Sequence, residues 1–255
     1  MSEAAIEVRE LYKEFRIKDA SIGSLKTLLM WWKKRSVFEV KVLRGISFSV
    51  SPGECVAVIG KNGAGKSTLL SLLAKIYRPT SGTVSIQGRL APLLELGAGF
   101  HPDLSGIENI QFNAVVLGLT RKQVAERTQQ IIEFSELGDH IYAPVRTYSS
   151  GMTARLGFSI AVHVDANVLL VDEVLSVGDY LFEQKCLAKV AEIRAAGGAI
   201  LLVSHNLETI RMFADRCLWL ERGVMRMEGP ASEVIPAYLA SDSESATASQ
   251  IRAAP

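Results

Sequence analysis

The stretch Gly60-Lys61-Asn62-Gly63-Ala64-Gly65-Lys66-Ser67 carries three glycines, a lysine and a hydroxyl at the spacing G-x-x-x-x-G-K-[ST]. That spacing suits the capture of phosphate. Gly60, Gly63 and Gly65 let the backbone curl so that successive N–H groups face an anion. A helix that begins inside the loop adds the positive end of its dipole to the same pocket. Lys66 can reach the β- and γ-phosphates of a nucleotide, and the Ser67 hydroxyl can ligate Mg²⁺. Asn62, Ala64 and Thr68 belong to the same nucleotide-binding stretch.

The second half of the chain supplies what such a loop lacks. Asn167-Val168-Leu169-Leu170-Val171-Asp172-Glu173 is an apolar strand ending in two carboxylates. The first, Asp172, suits Mg²⁺ held directly or through water. The second, Glu173, can take a proton from an attacking water as general base. Ile200-Leu201-Leu202-Val203-Ser204-His205 is a further apolar strand that ends at a histidine. Strand ends of a parallel sheet are where sites collect, and His205 can contact a γ-phosphate there. His101, His140 and His163 have no comparable setting, and no His/Cys/Asp/Glu spacing describes a zinc site.

The surrounding sequence predicts the elements that position these groups. Cys55–Ile59 is an apolar, β-branched run preceding the loop, and a helix follows over 68–74. Further strands are expected over 6–15, 42–50 and 83–87, and helical periodicity runs over about 105–135 until Gly138 breaks it. Phe15, at the end of the first strand, can stack on a purine or simply join the core. Leu25, Leu28, Leu29 and Trp32 share one face of a helix over about 24–35 that ends Trp31-Trp32-Lys33-Lys34-Arg35. That composition suits either a membrane interface or packing on the domain with a solvated basic end. Residues 241–255 are small and polar, and disorder is expected there.

Composition narrows the field. The chain has 255 residues, 48% hydrophobic, with 28 basic against 27 acidic side chains. One large domain, with or without an inserted lobe, fits that length. The balanced charge gives no reason to expect nucleic acid as a partner. Cys55, Cys186 and Cys217 are widely separated and read as buried, reduced thiols. The start shows no signal-peptide pattern, and no apolar run approaches the roughly 20 residues of a spanning helix.

Tyr148-Ser149-Ser150-Gly151-Met152, lying before Asp172, resembles the signature motif of ABC transporter ATPases, usually Leu-Ser-Gly-Gly-Gln. With the phosphate loop, the acidic strand end, Ser176-Val177-Gly178-Asp179 at the D-loop position and His205, the family's motif order is complete over residues 6–240. The resemblance implies an α/β fold of the ABC ATPase type of P-loop NTPase: a mixed sheet flanked by helices, with a helical lobe inserted over about 98–165. It implies ATP and Mg²⁺ as cofactors and a homodimer that sandwiches two ATP molecules head to tail. Ser149, Ser150 and Gly151 would act on the partner's ATP, and Phe15 takes the adenine-stacking position. Ser150 and Met152 depart from the usual glycine and glutamine. Glu95 stands where the family carries a glutamine and is the candidate water-mediated Mg²⁺ contact.

Those departures resemble one branch in particular. Glu95–Gly106, Tyr148–Met152 and Asp172–Asp179 look like the ATPases that export bacterial surface polysaccharides such as O-antigen, teichoic acid and capsular glycans. That branch implies two copies of a transmembrane permease subunit as partners, a lipid-linked glycan as cargo and a peripheral place at the cytoplasmic face of the cytoplasmic membrane. The 24–35 helix would lie at the membrane surface. An exporter ATPase for a drug or small lipid is the alternative within the family, and a soluble ABC ATPase the alternative outside transport.

Overall fold

The computed structural model describes residues 4–18, 37–94, 96–172, 178–204 and 206–252. The expected amphipathic helix over 24–35 lies outside them. Two sheets form the frame. A three-stranded antiparallel sheet has the order β2-β1-β4, from Ile6–Lys18 (β1), Val37–Val50 (β2) and Ser81–Ile86 (β4). A six-stranded mixed sheet has the order β5-β6-β7-β3-β8-β9, from Cys55–Ile59 (β3), Leu90–Leu93 (β5), Val168–Asp172 (β6), Ala199–Val203 (β7), Arg216–Glu221 (β8) and Val224–Pro230 (β9). All its neighbours pair in parallel except the β8–β9 hairpin.

The central strands read as unbroken apolar runs because both of their faces are buried. On β3, Cys55, Ala57 and Ile59 join a core shared with the helices, while Val56 and Val58 join a second core against the antiparallel sheet. Strands β6 and β7 divide in the same alternating way. Each buried Val, Leu or Ile contributes about 1.5–3 kcal/mol, so a charge at Val58 would break the sheet at its middle.

Lys66–Leu73 (α1) follows the phosphate loop. Between β5 and β6 the chain is helical: Gly106–Val116 (α2), Arg121–Ser135 (α3) and Ser150–Ala161 (α4), with short 3-10 turns between the last two. Ser105 and Thr120 begin α2 and α3 with reciprocal capping boxes to Glu108 and Gln123. Helix α3 ends at Ser135, where the helical periodicity ends. Glu136 itself takes the left-handed cap at φ 55, its carboxylate held by Lys185 at 2.7 Å and Arg155 at 3.4 Å.

Tyr180–Ala195 (α5), Leu207–Phe213 (α6) and Ala231–Arg252 (α7) complete the chain. The backbone of residues 241–252 continues α7. Ala246, Ala248 and Gln250 favour helix, and the segment extends an anchored helix, so no new nucleus is needed. No described helix is long and apolar enough to cross a membrane.

Candidate functional site

The register of the large sheet assembles the site. Val203 pairs with Asp172 on one side and with Val58 on the other, and Val58 pairs with Leu218. The carboxylate of β6, the exit of β7 towards residue 205 and the exit of β3 into Gly60 therefore share one edge, the carboxyl end of the parallel strands. Sites in such sheets gather at that edge.

The loop itself is held tightly. Gly60, Ala64, Gly65 and Lys66 are buried, while Lys61, Asn62, Gly63 and Ser67 are exposed and Thr68 half-buried. Gly60 has φ 148, and a Cβ there would lie 2.2 Å from the Leu220 carbonyl oxygen. Gly65 has φ 107, and its Cβ would meet Leu43 Cδ2 at 2.6 Å. Glycine is required at both. The Lys66 ammonium donates to the carbonyl oxygens of Gly60 at 2.7 Å and Lys61 at 3.2 Å. The β8–β9 turn supports the loop from below: the Gly223 N–H donates to Ala64 O at 3.1 Å, and the Arg44 N–H donates to Gly223 O at 2.8 Å. Lys61 also reaches Asp242 on α7 at 2.9 Å.

These residues fit a phosphate. Side chains cap the starts of α2 to α6, through Ser105, Thr120, Ser149, Asp179 and Asn206. Helix α1 has the glycine Gly65 at its cap, no side-chain cap bond and no acidic residue in its first turn. Its first amides and the neighbouring ammonium suit an anion.

The signature stretch is built differently. Ser149 begins α4 and its hydroxyl accepts from the Met152 N–H at 3.2 Å. Ser149 and Ser150 are exposed, and among the described residues a Cβ on Gly151 would meet only Ser149 Oγ, at 3.8 Å. One turn on, Arg155 bonds Asp179 at 2.6 Å and stacks on Phe182 at 4.6 Å. The Phe182 N–H and then the Arg155 guanidinium hold the Asp179 carboxyl below its ordinary range.

Phe15 is half-buried, its ring 5.3 Å from that of Tyr77 at 82°. Glu95, Glu173, Ser176, Val177 and His205 lie outside the described residues. Several contributors here escaped the sequence reading. Leu220 and Gly223 belong to a hairpin whose signal was present, the two-residue turn Arg222-Gly223 with both φ positive. Tyr77 and Arg155 had no local signal, because long-range packing alone gives them partners. The three cysteines are buried, and desolvation pushes their thiols up to about 12 at Cys55 and Cys186 and about 11 at Cys217.

A phosphate loop leading from a central parallel strand, with an acidic strand end two strands away, defines a nucleoside-triphosphate-binding protein of the P-loop class. A family model described as ABC transporter matches residues 43–176. The chain belongs to the ABC transporter family, and its fold is that of the family's ATPases. It is 46% identical over 241 residues to the O-antigen export system ATP-binding protein RfbB of Klebsiella pneumoniae, covering 92% of this chain and 98% of that one. It is 45% identical over 241 residues to the protein of the same name from Myxococcus xanthus, covering 92% of this chain but 55% of that one. The chain thus spans about half the length of the latter relative. Among solved structures, the dimeric post-hydrolysis state of the ATP-binding cassette MJ0796 bound to ADP and Pi superposes with a TM-score of 0.71 at 16% identity, over 89% of this chain and 98% of that one.

Proposed function

We propose that the chain is the ATP-hydrolysing subunit of an exporter that moves a lipid-linked polysaccharide across the cytoplasmic membrane through a separate transmembrane subunit. The observation that carries this reading is the row Asp172–Val203–Val58, which sets the uncapped start of α1 and the Lys66 ammonium on the same sheet edge as a carboxylate. Bound ATP supplies a phosphoanhydride whose cleavage releases free energy. The amides over 60–67 and Lys66 offset the charge of its phosphates. Ser67 and Asp172, with Glu95, would hold Mg²⁺, which supplies Lewis-acid stabilisation of phosphate oxygens. Glu173 accepts a proton from water, and His205 senses the terminal phosphate.

Two copies act together, each signature stretch Ser149–Gly151 facing the other's nucleotide, and two permease subunits sit at the cytoplasmic membrane face. The cargo assignment rests on the relatives' names and on the stretches Glu95–Gly106 and Tyr148–Met152. Glu173→Gln provides the test. With Mg-ATP the variant is expected to elute as a dimer from a sizing column, whereas a strictly monomeric variant, even beside its membrane subunit, would sink the sandwich. In cells, its expression is expected to remove a surface polysaccharide and accumulate the lipid-linked precursor. An unchanged surface with the variant confirmed in membrane complexes would point instead to a drug or small lipid as cargo.

A further inference from the structure

Lys13 and Phe15 are two apart on β1 and so share a face of the strand. The Lys13 ammonium lies 4.6 Å from the centroid of the Phe15 ring and 5.5 Å from that of Tyr77, and donates to the Arg78 carbonyl oxygen at 2.9 Å. The two rings stand at 82° with centroids 5.3 Å apart, so the ammonium occupies the corner they form. Two bonds fasten this corner. The Glu14 N–H donates to Thr80 Oγ1, and the Thr80 N–H donates to Tyr12 O, each at 2.9 Å. The 77–80 segment follows closely on α1, whose other end is the phosphate loop. Base platform and phosphate site are thus joined through one short helix.

We infer that Lys13 is a positioning residue for the nucleotide base: it closes one face of the Phe15 ring, pins the ring against Tyr77 and leaves the opposite face for a purine. This rests on the reading of Phe15 as the stacking residue. A cation on one face draws electron density from the ring, which favours an electron-rich heterocycle on the other. The Arg78 carbonyl holds the ammonium in place, so the ring is oriented before any base arrives.

The test is equilibrium binding of Mg-ATP and of Mg-tripolyphosphate, which has no base, to the full chain and to Phe15→Ala, Lys13→Met and Lys13→Arg. Phe15→Ala is expected to weaken ATP about tenfold, the effect of losing one base–aromatic stack. Lys13→Met is expected to weaken ATP about two- to fivefold, the worth of a partly exposed cation–π contact. Lys13→Arg restores ATP affinity, and tripolyphosphate binds all four proteins equally. If Lys13→Met weakened tripolyphosphate as much as ATP, Lys13 would act on the phosphates or the fold, and the proposal would fall. If Phe15→Ala weakened ATP and Lys13→Met did not, the role of Lys13 alone would fall. An unchanged ATP affinity in Phe15→Ala, with tripolyphosphate still bound, would overturn the base site and leave the phosphate site standing.

Discussion

The phosphate loop and the signature stretch both lead into the start of a helix, yet they are finished to different degrees. In the loop, the chain closes on itself: Lys66 is 6% exposed and bonded to two loop carbonyls, and Gly60 and Gly65 are glycines because Leu220 and Leu43 leave no room for a side chain. In the signature stretch the helix is already capped by Ser149, Ser149 and Ser150 are exposed, and among the described residues a Cβ on Gly151 would meet Ser149 Oγ alone. The first region is shaped to fit a small anion. The second is capped and faces outwards among the described residues. Preorganisation is thus concentrated where the ligand is small and the geometry demanding.

The contrast can be broken most sharply at Gly60. Gly60→Ala forces a Cβ onto a backbone oxygen at positive φ, and a loss of about 3 kcal/mol or more is expected, seen as a fall in Tm of about 6–12 °C. A variant that melted with the parent would show that the loop is not fixed by its surroundings. Gly151→Ala should do the reverse. With no clash to relieve, its stability should stay within about 0.5 kcal/mol of the parent and its own ATP binding should be kept, while steady-state ATPase turnover drops about tenfold or more. Unaltered turnover would remove the signature stretch from the reaction.

The smallest effect is at the far end of α4, where His163 is buried and its Nδ1 lies 2.6 Å from the Ser159 carbonyl. Burial lowers its pKa, and the nearby Lys189 and Arg127 lower it further, against the Ser159 carbonyl and Asp165. Its folded pKa lies below its unfolded one, so the unfolded chain binds more protons between the two. Stability from this group is complete above the ordinary histidine value of about 6.5 and is lost as pH falls through the folded pKa. A pH series of Tm should therefore be flatter below about pH 6.5 in His163→Gln than in the parent. Parallel series would mean that the imidazole is not sheltered from water.

Legibility in the sequence followed from how local each cause was. Strand β3 was readable to the residue, since Cys55–Ile59 is buried on both faces and bounded by turns. The end of β6 at Asp172 was readable for the same reason. Strand β5 was not: four residues long with Pro92 inside, it violates strand patterning and survives only because it is an edge strand, paired with β6 alone in its sheet. The loop's own residues were legible from spacing. The β8–β9 hairpin carried a turn signal of its own, but its place beneath the loop was not legible, because the clash that makes Gly60 obligatory comes from Leu220, far along the chain. Likewise the pairing of Arg155 with Asp179 joins residues that no periodicity connects.

The sulfur chemistry of this protein has a practical side. Its natural thiols sit inside the core and hold their protons far above neutral pH, so maleimides and nitroxide reagents will find almost no thiolate to attack. An engineered cysteine on the exposed rim, at Lys61 or Ser150 for instance, would be a unique handle without first stripping the native ones. Spectroscopic rulers placed there would report on the loop and the signature stretch in the otherwise unaltered chain.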